Sequence, residues 1–86
     1  LQENALTYED DLKLRVWNEI VNMIRNNAKE FCEVSSQAEI VKMLNSINEG
    51  SKTIKNTFLQ ENIKSLQSNI EITITKIQSI KTESAN

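Results

Sequence analysis

The chain has no proline and one glycine, Gly50, in 86 residues, so almost nothing compels its backbone to leave a helix. Two apolar rows are written into that permissive background. Leu14, Trp17, Val21, Ile24, Ala28 and Phe31 recur at alternating steps of three and four residues. Leu59, Ile63, Leu66, Ile70, Ile77 and Ile80 repeat the pattern, with Thr73 as its polar interruption. Such spacing keeps one stripe on one side of a helix and lays it against another helix. The sequence predicts an all-α fold with coiled-coil-like seams.

Thr7 is read as the first helix cap, followed by Glu9, Asp10 and Asp11 at the positive end of the helix dipole. Asn48-Glu49-Gly50-Ser51 reads as the turn, with glycine closing one helix and Ser51 opening the next. The expected architecture is an antiparallel hairpin of residues 7–48 and 51–83, which brings Ile24 beside Ile77 and Val21 beside Ile80. Residues 1–6 and 82–86 are read as frayed ends. The apolar register slips near Ser35 and Ser36, and Ser36 with Glu39 matches a capping box. A break there would turn the first arm into two helices and the hairpin into a three-helix unit. Ile70-Glu71-Ile72-Thr73-Ile74-Thr75 alternates like a strand, but the surrounding heptads continue through it and favour helix.

Leu12, Val16, Ile20 and Met23 widen the first stripe, and Ile72 and Ile74 widen the last. A lone hairpin has one interface and cannot cover two faces of each helix. An oligomeric bundle is therefore expected. Hydrophobic content of 38% and a length of 86 residues point the same way, since a small core gains from another chain. The chain reads as a single helical association domain over residues 1–86. Its first residue, Leu1, suggests a piece of a longer protein. The contact residues expected are Leu14, Trp17, Val21, Ile24, Phe31, Leu59, Ile63, Leu66, Ile70, Ile77 and Ile80.

Chemistry has little to work with. Histidine is absent and Cys32 is the only cysteine, so no zinc site can be assembled and no histidine base exists. The carboxylates at Glu9-Asp10-Asp11 and at Glu30 and Glu33 lack calcium-loop spacing. No catalytic residue, cofactor, metal or small-molecule substrate is expected. The net charge is −2 without a dense Lys/Arg stripe, which argues against direct nucleic-acid binding. No apolar run approaches the roughly 18 residues of a membrane span. One unpaired cysteine suits an intracellular setting, cytoplasmic or nuclear. The leading expectation is a non-enzymatic assembly module that scaffolds a homo- or hetero-oligomeric complex. The alternative is a monomeric adaptor that docks an amphipathic peptide of a partner.

Overall fold

A computed structural model describes residues 2–81, with side chains from Thr7 to Lys81. Every regular element among the described residues is helical, including the Ile70–Thr75 stretch. The helices are α1 (Gln2–Asn26), α2 (Ala28–Val34), α3 (Gln37–Lys52) and α4 (Gln60–Ser79), the last preceded by a single 3-10 turn, Thr57–Leu59. They form a rod of 57 × 17 × 16 Å. That cross-section suits three helices at the usual interaxial distance of about 8–10 Å. None of the helices is long and apolar enough to cross a membrane.

Side-chain hydrogen bonds, not glycine or proline, set most of the boundaries. At Asn27 the backbone leaves helical geometry (φ −121°, ψ 35°), and its side-chain amide donates to the Met23 carbonyl at 2.9 Å. An asparagine that binds its own preceding turn competes with the helix ladder, and α1 gives way to α2 there. Ser35 and Ser36 are extended. Ser36 Oγ accepts from the Glu39 backbone N–H at 3.1 Å and donates to Glu39 Oε1 at 3.3 Å. Ser36 is therefore the cap of α3, with Glu39 accepting from its hydroxyl, and the continuous 7–48 arm is replaced by α1, α2 and α3.

The turn expected at Gly50 does not exist. Gly50 lies inside α3 with no left-handed backbone, and Ser51 is fully buried instead of opening a helix. The chain turns at residues 53–56. Thr53 Oγ1 donates to the Gly50 carbonyl at 2.7 Å, Ile54 is buried, and Asn56 Oδ1 accepts from the Phe58 N–H at 2.9 Å. The last helix thus begins at Gln60 and not near residue 51. Thr7 is likewise not a cap, because α1 already runs from Gln2. Its hydroxyl accepts from Asn56 Nδ2 at 2.6 Å. The expectation for residues 82–86 lies outside the described residues.

Two reversals of direction make α4 parallel to α1. Contacts climb the two helices together: Asn56 to Thr7, Asn69 to Asn18 and Asn22, Lys76 Nζ to the Arg25 carbonyl at 2.9 Å. The expected antiparallel pairing of the two rows is overturned, and Val21 lies toward the Asn69 level instead of Ile80. The antiparallel neighbour of α4 is α3. Gln67 Nε2 donates to Ser51 Oγ at 3.3 Å, and Gln37 Nε2 donates to the carbonyls of Ile77 and Ile80 at 2.7 and 2.5 Å.

The core runs along the rod between α1, α3 and α4. Leu14, Val21, Ile24 and Ala28 meet Ile40, Leu44, Ile47 and Ile54, and both groups meet Leu59, Ile63, Leu66, Ile70 and Ile77. Thr73 is buried in the same row, its hydroxyl turned back to the Asn69 carbonyl at 2.8 Å. The loss of one apolar side chain is thus offset by a local hydrogen bond.

Gly50 is needed for space. A Cβ there would stand 3.0 Å from Trp17 Cη2 and 3.1 Å from Cζ2. Replacing a helical glycine by alanine ordinarily stabilises by about 1 kcal/mol. Here Gly50→Ala should gain nothing or lose, because the indole must shift. In a Trp17→Ala background the same change should recover the full ~1 kcal/mol. Urea denaturation of the four chains checks this. An equal gain in both backgrounds would remove Trp17 from the account.

Candidate functional site

The eleven residues singled out for contact all fall within the chain's own bundle. Leu14, Val21 and Ile24 of α1 and Leu59, Ile63, Leu66, Ile70 and Ile77 of the last helical segment are buried. Trp17, Phe31 and Ile80 are partly buried and packed against that core. The eight buried ones offer no surface to anything outside the chain, whereas Trp17, Phe31 and Ile80 remain partly accessible.

α1 has a second apolar face. Successive residues turn by about 100°, so Leu12, Val16 and Met23 point away from Leu14 and Val21. Each of the three is 49% exposed, and Ile20 lies half-buried at their edge. Trp17 and Lys13 flank the row, and a shallow depression is lined by Glu9, Leu12, Lys13, Val16 and Trp17. Seven residues from Gly50, on the same side of α3 that receives Trp17, Met43 is also exposed. By contrast the outer face of α4 carries one isolated large apolar residue, Ile72.

On its α4 side, α1 carries a polar ladder. Asn69 Nδ2 donates to Asn18 Oδ1 at 3.0 Å and to Asn22 Oδ1 at 2.8 Å. Arg25 donates to Asn69 Oδ1 and, at 3.1 Å, to Asn22 Oδ1. One amide thus receives and gives across two helices, which pins their register. The spacing of Asn18, Asn22 and Arg25 by four and three residues along α1, beside the apolar row, is the signal the sequence carries. Asn56 ties the 53–56 turn to Thr7, whereas Asn62 is exposed.

The remaining polar groups are occupied by ordinary structural work. Asp11 accepts from Arg15 Nη2 at 2.7 Å, and this pairing pushes the guanidinium pKa further up. Cys32 is half-buried, and desolvation raises its thiol pKa, which lowers the thiolate fraction on which reactivity depends. No group of three or more His, Cys, Asp or Glu side chains among the described residues is arranged to hold a metal. A cleft of about 430 Å³ opens between the start of α1 and the 53–58 segment. Its lining sets one carboxylate, Asp10, against Lys13 and Lys55, and Thr7 is already engaged by Asn56.

No family model matches the chain, and neither does any curated protein or solved structure. Function has to be argued from the residues themselves.

The ladder can be tested directly. Asn69→Ala leaves Asn18, Asn22 and Arg25 without their shared partner and should cost about 1–2 kcal/mol. Asn62→Ala, one α4 position that makes no such bond, should stay within about 0.5 kcal/mol of the parent. Chemical denaturation of both variants reads the difference, and equal stabilities would remove the ladder from the account of register.

Proposed function

We propose that this chain is a non-enzymatic helical assembly module, and that it meets other protein through the outer face of α1. The observation that carries the reading is the exposed row of Leu12, Val16 and Met23, opposite the buried face of the same helix. The bundle has its own core, so this row is surplus to folding. Scattered apolar residues need no explanation, but a row at helical spacing forms one continuous patch. Helix-in-groove and helix-on-helix recognition both use anchors at this spacing.

A monomeric adaptor that docks an amphipathic peptide is the second reading. It draws on Trp17 and Met43, which extend the row toward α3. The two readings share a surface and differ in whether the purified chain associates with itself.

The surface itself is tested by replacing Leu12, Val16 and Met23 together with lysine. A face that serves contact and not folding should tolerate this, with helicity retained and stability within about 1 kcal/mol of the parent. Circular dichroism during thermal and urea denaturation measures both. Loss of the helical signal would assign the row to the fold and end the reading.

A further inference from the structure

Resting on that reading, we infer that the occupant of the α1 outer face is a second copy of this chain, with the two α1 helices antiparallel. The aligned peptide dipoles of two antiparallel helices oppose each other, and the exposed charges that flank the row on one side, Arg15 and Glu19, are of opposite sign.

The row is self-matching in that direction. A two-fold axis near Trp17 and Asn18 sets Leu12 of one copy against Met23 of the other, and Val16 against the Glu19–Ile20 turn. Antiparallel helices related in this way face like flank to like flank. Arg15 and Glu19, which share one flank of the row, then come opposite each other twice across the axis. Glu19 has no ion pair within the chain among the described residues, and Arg15 is 69% exposed on its side chain despite its bond to Asp11. The association is weak. From Leu12 to Met23 the row is about 17 Å long on a helix about 10 Å wide. That footprint is well below the ~800 Å² per partner of a standard interface.

Sedimentation equilibrium of the whole chain up to about 1 mM, together with spin-label distances, decides it. The 9.9 kDa chain should approach twice that mass, and the triple lysine substitution at Leu12, Val16 and Met23 should hold it at one. Glu19→Arg should weaken the dimer roughly 3- to 10-fold, and Arg15→Glu in the same chain should restore it, as two exposed ion pairs would. In a Cys32→Ser background, a spin label on Tyr8→Cys should report a separation of about 30 Å for the antiparallel pair. A label separation below about 15 Å would show parallel helices and overturn the inference, while leaving α1 as the contact face. A monomer at every concentration also overturns it and favours the adaptor. A dimer that survives the lysine substitutions overturns both the inference and the reading on which it rests.

Discussion

The buried row of α4 is the surface on which the rest of the molecule is assembled. Ile63, Leu66, Ile70, Thr73 and Ile77 stand in one line that Leu59 of the 3-10 turn extends, and both α1 and α3 pack along it. α1 and α3 meet each other over a shorter stretch, where Trp17 crosses Gly50. A side chain in the α4 row therefore serves two interfaces at once. Burying each Ile or Leu there is worth about 1.5–3 kcal/mol, and a charge at Ile70 or Ile77 would remove that while stranding an unpaired ion. The single polar member, Thr73, is tolerated because its hydroxyl is satisfied within its own helix.

Once α4 is the seat, the connections have to deliver α1 and α3 to its two flanks in opposite directions. They do so through side chains that occupy the free groups at helix ends. Ser36 and Glu39 start α3, Thr53 closes it, and Asn56 starts the 3-10 turn into α4. Gln37 reaches across from the first turn of α3 to the last carbonyls of α4, so the start of one helix finishes another. No buried side-chain nitrogen or oxygen among the described residues is left without a partner. Such groups are costly when orphaned, and this closes one route by which a glycine-poor, proline-free chain could lose its shape.

How far the fold was legible follows from what periodicity encodes. An apolar row reports which face of a helix is buried, and every row residue named from the sequence is buried or partly so. It does not report the direction of the neighbour. The same row serves a parallel or an antiparallel partner, so α4 against α1 was misjudged while its buried face was not. Gly50 was misread for a related reason. Glycine offers both freedom at positive φ and the absence of a Cβ, and the sequence does not say which is used; here it is the second. The Ser36 cap was readable because capping is local. The ladder of Asn18, Asn22 and Asn69 was not, because its members are 47 and 51 residues apart. The outer row of α1 was visible from the start as an excess of apolar positions.

That excess separates α1 from its neighbours in physical terms. α3 and α4 each turn a mainly polar surface outward, with Met43 and Ile72 as solitary exceptions. α1 instead buries one row and repeats another on the opposite side. Leu12, Val16 and Met23 could become polar without exposing the core, since none of them belongs to it. Folding alone does not ask for an apolar row there, and solubility disfavours one. Under the proposed function, the row answers a contact outside the bundle. The proposed antiparallel contact uses the same chemistry that closes the core, greasy rows laid between helices with charges at the rim. The difference lies in area: the inner row is covered by two helices and is permanent, whereas the outer row offers one narrow strip, which suits an association that concentration can make or undo.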